Sequence, residues 1–497
     1  MPDSLVLQLK NTSKEEVYAY VTGLDIKKNG RRVLVQSDGH TLYYPVDPPA
    51  DLQPLEADVA IPLSRDGSAN KVTIPQIAGG RIWFSRGPKK LTFLLNPSHN
   101  PNAGAALVEP SVLNPSDPNA AVDFSFCEFT LNSDQLFANI SYVDFVPRLP
   151  IALTLQRHGG NREIQHVSGM KAEAFATICD QLRAQAKRDG KPWDKLIVRA
   201  PGASPNDLPL RVLNPTHGDA VGASFAGYYE AYVDQVWKHY AGGNKLSINT
   251  QAGAGVVHGT VDDSGRLVFG SEAFNKPTTL DILGCNSGPF TTGSSDARNA
   301  IIPRLAAAFQ RSTLLTDAIQ PSAEPRGFYQ KEPTNHYGRI VHGANLDGKG
   351  YTFAYDDVQP DGGADQCGKV NASDPELFIV SVGGYNVYTG NRDHTIWTIP
   401  GSSGGPRDGN RDGNRDENRD DNRDDGKISA AVNGNEVTGE EGESDGTQVV
   451  DEQPGPQLGA NGNSSDDDND KKQICSWCGI KYCFKGIKDC LDSIPET

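Results

Sequence analysis

The sequence predicts a mainly β fold with an α/β insertion, on three observations. Residues 4–144 alternate short apolar runs with turn residues and show almost no helical period, the pattern of an antiparallel sandwich or barrel. From about residue 166 the apolar spacing becomes helical, and from about residue 339 short β-type runs return. The division expected is a discontinuous β-domain over 1–165 and 336–400, an α/β domain over 166–335, and a cleft between them.

The elements follow in order. A strand at 17–21 ends at Thr22-Gly23, and 32–35 faces 41–44 across Ser37-Asp38-Gly39, where Asp-Gly is a strong hairpin signal. Further strands are expected at 71–74, 81–84 and 91–95, with the proline-rich stretches 45–54 and 97–118 as loops. A helix of about 20 residues follows Ser168, with Ala174, Ile178, Leu182 and Gln185 on one side and Gly190 as its stop. A second runs from about Ser224 through Tyr240 to Gly242-Gly243. A third starts at Ser295-Asp296 and carries Ile301, Leu305 and Phe309, with Pro303 in its early turns. Strands are expected at 195–198, 266–269, 339–341, 351–355 and 377–382.

The 497 residues include 47 Lys+Arg and 63 Asp+Glu, a net charge of −16. Most of the excess sits in residues 401–474, where 8 basic face 19 acidic residues around an Arg-Asp-x-Asn repeat, while 1–400 carries only −5. With no apolar residues to build a core, the repeat implies a disordered, self-repelling linker. The charge balance excludes the basic footprint of a nucleic-acid binder, and no apolar run approaches the roughly 18–20 residues of a membrane span. The first residues show neither a basic start nor a sustained apolar stretch, so no conventional signal peptide is visible. Cys127, Cys179, Cys285 and Cys367 have no paired spacing and are read mainly as buried thiols. Cys475, Cys478, Cys483 and Cys490 form a small tail over 475–497, suited to two disulfides or a four-thiolate zinc site; the single Cys-x-x-Cys favours disulfides.

No phosphate-binding loop, dinucleotide fingerprint, His-Glu-x-x-His or nucleophile elbow is present, and the ten histidines lack metal-ligand spacing. No cofactor or metal is implied. What remains is carboxylates among aromatic and amide residues in β-structure, the chemistry of carbohydrate sites. The densest stretch is 122–132 followed by 137–147. At a period of two, Glu128 and Thr130 share a face with Phe124 and Phe126, and Cys127, Phe129 and Leu131 share the other. A strand apolar on both faces is covered on both sides, and an unpaired carboxyl there has its pKa raised by desolvation, as a general acid requires. The same pattern also fits a Glu at a sheet rim or paired with an Arg.

The run Phe126-Cys127-Glu128-Phe129-Thr130-Leu131-Asn132, with 138–146, resembles glycoside hydrolase family 64. Gly80-Arg81-Ile82-Trp83, Leu107-Val108-Glu109-Pro110-Ser111, 283–290 and 351–358 extend the resemblance in the family's order, over residues 5–387. These are microbial endo-β-1,3-glucanases of the laminaripentaose-producing type with a thaumatin-like β-domain. The resemblance implies an inverting hydrolase of β-1,3-glucan, acting outside the cell as a monomer, with Glu128 as general acid and Asp144 as general base. It also implies sugar contacts from Thr130 and Asn132, and stacking on Phe137, where some members carry Trp. Asp356 and Asp357 resemble acidic cleft residues of the thaumatin-like fold; as neighbours in a strand they face opposite ways, so one at most would line the cleft, and the alternative is that both close a turn before Val358. A cytoplasmic location and a non-catalytic glucan-binding protein are the competing readings. A tight turn at 132–134 would leave Glu128 and Asp144 about four residues out of register, ~13 Å at ~3.3 Å per residue, against the ~6.5–9.5 Å that inversion needs. A longer connection or non-adjacent strands would bring them opposite.

Overall fold

The computed structural model describes residues 3–98, 104–158 and 164–384; the acidic linker and the cysteine tail lie outside the described residues. Two sheets stack face to face. The larger runs Lys369–Ala372, Leu136–Ile140, Asp123–Leu131, Ile77–Arg86, Val17–Asp25, Arg31–Val35 and Leu42–Tyr43, with Ile61–Pro62 also paired to Val17–Asp25. The smaller runs Ile164–Val167, Ile151–Arg157, Pro375–Val382, Ser4–Asn11 and Ala69–Pro75. Their inner faces alternate as a sandwich requires: Leu5, Leu7 and Leu9 from one sheet and Ile82, Phe84, Cys127 and Phe129 from the other are all buried in one core. Pro375–Val382 lies parallel to Ser4–Asn11, with Leu7 opposite Phe378, so sequence-distant strands share the centre of the smaller sheet.

Among the described residues all five α-helices fall between the sandwich strands Ile164–Val167 and Lys369–Ala372: α1 (Ala174–Asp189), α2 (Glu230–Ala241), α3 (Thr279–Gly284), α4 (Asp296–Gln310) and α5 (His336–Ala344). A separate five-stranded sheet lies among them. Ile178, Trp237 and Phe309 belong to the same continuous core as the sandwich. No described helix is long and apolar enough to cross a membrane.

The fold is mainly β with few helices, as the sequence implies, and the Asp38-Gly39 hairpin joins Leu34 to Tyr43 as expected. Several elements differ. α1 begins at Ala174, because Ser168 is tied instead to the Asp347 carboxylate by its backbone N–H (2.7 Å). α2 begins at Glu230 rather than near Ser224, since the preceding turn is fixed by the Tyr229 N–H donating to Thr279 Oγ1 (2.8 Å). Residues 339–341 are helical: Asn335 accepts the Gly338 N–H and starts α5, whose Tyr337, Ile340 and Val341 form a buried face. That tertiary burial overrides the β preference of Ile-Val. Residues 351–355 form no strand beyond a bridge from Tyr351 to Ser141, and Tyr355-Asp356-Asp357 lies in a turn. Of the 91–95 stretch only 94 and 95 pair, and of 195–198 Ile197–Val198 is strand while the first two residues end a 3-10 turn. Pro303 sits inside α4 without ending it. The body cysteines are buried free thiols.

Candidate active site

The outer face of the larger sheet carries a second apolar cluster in which Trp83, Phe93, Phe124, Phe126 and Phe145 pack edge-on and tilted. The strand bearing Glu128 is thus covered on both sides, as its pattern implies. Arg81 stands directly opposite Glu128 on the neighbouring antiparallel strand, next to Phe129 opposite Gly80. A Cβ on Gly80 would lie 2.5 Å from the Phe129 ring, so only glycine lets that ring cross the neighbouring strand at this register.

Arg81 donates from Nε (3.3 Å) and Nη2 (3.2 Å) to Glu128 Oε1, and from Nη1 to Glu109 Oε2. Its guanidinium carbon lies 4.9 Å from the centre of the Phe126 ring and 5.4 Å from that of Trp83. One cation therefore serves two carboxylates. Glu128 also has the arginine partner that its pattern equally allowed, yet the pairing does not win. Burial first, then the charges of Asp144 and Glu109, push the Glu128 carboxyl above its ordinary value against the pull of Arg81.

Asp144 reaches the same neighbourhood by a route outside both geometries considered from the sequence. The hairpin is tight, with Leu131 opposite Leu136 and Glu128 opposite Asn139. The chain leaves the sheet after Ile140, bridges Tyr351 through Ser141, and turns into Phe145–Pro147, which pairs with Arg211–Leu213. Asp144 sits in that bend. Its carbonyl accepts the Asn214 N–H (2.9 Å), and its carboxylate Oδ1 lies 3.3 Å from His217 Nε2. Asn214 also accepts the Thr216 N–H, starting the 3-10 turn that carries His217, and donates from Nδ2 to the Thr352 carbonyl (2.8 Å). Burial would raise Asp144 too, but the hydrogen bond and charge of His217, with Arg81 behind them, hold it below its ordinary value. The side chains are 19% exposed at Glu128 and 43% at Asp144. The result is one enclosed carboxyl biased to the acid form and one open carboxylate biased to the ionised form.

The other sequence-derived residues divide. Thr130 is buried on the Glu128 face directly opposite half-buried Phe137, so both flank Glu128. Asn132 uses its side-chain oxygen to close the hairpin, accepting the Asp134 and Gln135 N–H groups (both 2.9 Å). Asp356 is not a cleft residue. It is fully buried, bound by His342 Nε2 (2.9 Å), Arg311 Nη2 (3.0 Å) and both the N–H and hydroxyl of Thr352. Half-buried Asp357 alone of the pair has a side accessible to solvent. Arg81, Glu109 and His217 were not singled out from the sequence; the first two stand within resemblance motifs, but only strand register reveals what they touch.

The family model described as Beta-1,3-glucanase, glycoside hydrolase family 64, matches residues 3–382. The chain belongs to this family. Among solved family 64 structures it is similar to a laminaripentaose-producing beta-1,3-glucanase in complex with laminaritetraose, at 30% identity and a TM-score of 0.65 over 77% of this chain and 99% of that one. It shares the fold of the family 64 domain from Clostridium beijerinckii, at 23% identity and a TM-score of 0.58 over 76% and 98% of the two chains. A curated family relative, the glucan endo-1,3-beta-glucosidase of Cellulosimicrobium cellulans, is 32% identical over 293 residues, 58% of this chain and 50% of that protein. The chain thus spans about half the length of the curated relative it matches.

Proposed function

We propose that the chain hydrolyses β-1,3-glucan internally and with inversion, Glu128 acting as general acid and Asp144 as general base, and releases short oligosaccharides. The observation that carries this reading is the opposed bias of the two carboxyls: Glu128 held toward its protonated form, Asp144 toward its ionised form, in one neighbourhood. In the step envisaged, Glu128 gives its proton to the glycosidic oxygen as the bond to the anomeric carbon breaks. Asp144 takes a proton from the water attacking that carbon from the other face. Separate partners hold the two groups, Arg81 for Glu128 and His217 for Asp144, and no hydrogen bond joins them among the described residues. Thr130 and Phe137 extend the face on which sugar rings would lie, and Asn132 retains an amide N–H₂ for a hydroxyl. The reaction is set outside the cell, as the family resemblance implies. The working unit is read as a monomer.

The test is the anomer formed at early times from linear β-1,3-glucan. Rapid release of α-anomeric oligosaccharides is expected; β-anomeric products would overturn inversion, and binding without release would leave a glucan-binding protein.

A pH consequence follows from the shared arginine. Activity requires Glu128 protonated and Asp144 ionised, so kcat/KM falls above the pKa of the first and below that of the second. Glu109→Gln removes a like charge and frees Arg81 to serve Glu128 alone, and both effects lower the Glu128 pKa. The alkaline limb is expected to move down by about half to one pH unit, with the acidic limb little changed. An unmoved or raised alkaline limb in the measured profile would contradict the arrangement.

A further inference from the structure

On the strand opposite Arg81, the residue facing Glu128 is Asn139. Asn139 is 7% exposed, and its side-chain oxygen is fully buried without a hydrogen-bond donor among the described residues. A buried acceptor left without a donor is costly, and native structures rarely keep one without a purpose. Directly opposed residues of an antiparallel pair have Cβ atoms about 4.5–5.5 Å apart, within hydrogen-bonding reach of an Asn and a Glu side chain. Both Arg81 bonds to Glu128 end on Oε1, which leaves Oε2 to carry the acid proton.

We infer that Asn139 is a positioning residue for the general acid: its side-chain oxygen accepts the O–H of protonated Glu128, so the buried acceptor is satisfied only while the carboxyl holds its proton. This rests on the reading of Glu128 as the general acid. The charged groups that share this neighbourhood are Arg81 on one adjoining strand, Lys369 facing Asn139 from the strand beyond, Glu109 across Arg81, and Asp144 with His217. Arg81 favours the ionised form and the carboxylates the neutral form. Asn139 differs from all of them in acting through a bond that exists in one protonation state alone. It is also the Asn of an Asn-Ile-Ser sequon, and its burial in a paired strand keeps it from glycosylation.

The test compares Asn139→Val with Asn139→Thr, which have nearly the same shape and suit a strand equally, but only the second offers an acceptor oxygen. Two readouts are taken: the alkaline limb of kcat/KM on linear β-1,3-glucan, and the titration of the Glu128 carboxyl carbon by ¹³C NMR without substrate. In Asn139→Val both are expected to fall by about half to one pH unit, and in Asn139→Thr to stay near the native values. Equal shifts in the two variants, or none in either, would overturn the inference. The NMR titration judges Asn139 even if Glu128→Gln proves fully active, an outcome that would instead remove Glu128 as the acid. Should Asn139→Val fail to fold, Asn139→Ser against Asn139→Ala in the same readouts decides the question.

Discussion

Glu128→Gln is expected to lower kcat on linear β-1,3-glucan by about 10²–10⁴-fold, the range supplied by a positioned general acid. The amide keeps the volume and can still accept from Arg81, so the change isolates the lost proton. Because a good leaving group departs without protonation, the same variant is expected to recover most of its rate on an aryl β-glucoside oligomer. Asp144→Asn should lose a similar factor on both substrates, since the attacking water needs its base whatever leaves. Comparing the four rates identifies the two roles; equal recovery of the two variants on the activated substrate would show that the assignments are wrong. The loss at Asp144 should not be reproduced by His217→Gln, which removes a partner and not the base, and which should shift the acidic limb upward.

The second large effect falls on stability. Asp356 sits between Arg311 and His342 with no access to solvent, and it accepts twice from Thr352. Removing one member of a buried, hydrogen-bonded charge cluster typically costs about 3–5 kcal/mol, and Asp356→Asn is expected to cost about that at neutral pH. Burial alone would raise Asp356; His342 and Arg311 outweigh it and hold the carboxyl below its ordinary value. The sign follows: a carboxyl with a depressed folded pKa adds stability above its ordinary pKa of about 4 and loses it as pH falls through the folded value. The gap between native and variant in urea unfolding should therefore narrow from pH 7 to pH 3. A gap constant across that range would refute the ionised clamp. Because Thr352 also holds Asn214, which holds Asp144, the variant should lose some kcat before it loses its fold.

Much of the candidate site was legible in the sequence because its central strand announces itself. Alternation in 123–131 places Glu128 and Thr130 on one face, and apolar residues on both faces imply that the strand is covered. The resemblance supplied Asp144, and the bend after Ile140 supplies the proximity that a continued hairpin would have denied it. Arg81, Glu109 and His217 escaped because a charged residue in a strand or loop gives no local sign of its partner; register across three strands decides it. Asp356 stayed open for the converse reason. An acidic pair in an aromatic stretch reads the same whether it faces solvent or closes a buried turn, and only the burial of Arg311 and His342 around it separates the two. The α5 segment shows the same limit, since Arg-Ile-Val reads as strand until the Asn335 cap and the packed face of Tyr337 are seen.

The parallel pairing of Ser4–Asn11 with Pro375–Val382 sets an order of assembly on the ribosome. The central strand of the smaller sheet is the last of its five to be made, so Ser4–Asn11 and Ile151–Arg157 each wait with an open edge while more than two hundred further residues are translated. Those edges are sticky in the interval, and the loop that must close is among the longest the chain can form. Nascent chains stalled short of residue 375 should therefore need chaperone cover, and the emergence of Pro375–Val382 from the ribosome should be the event that seals the sandwich.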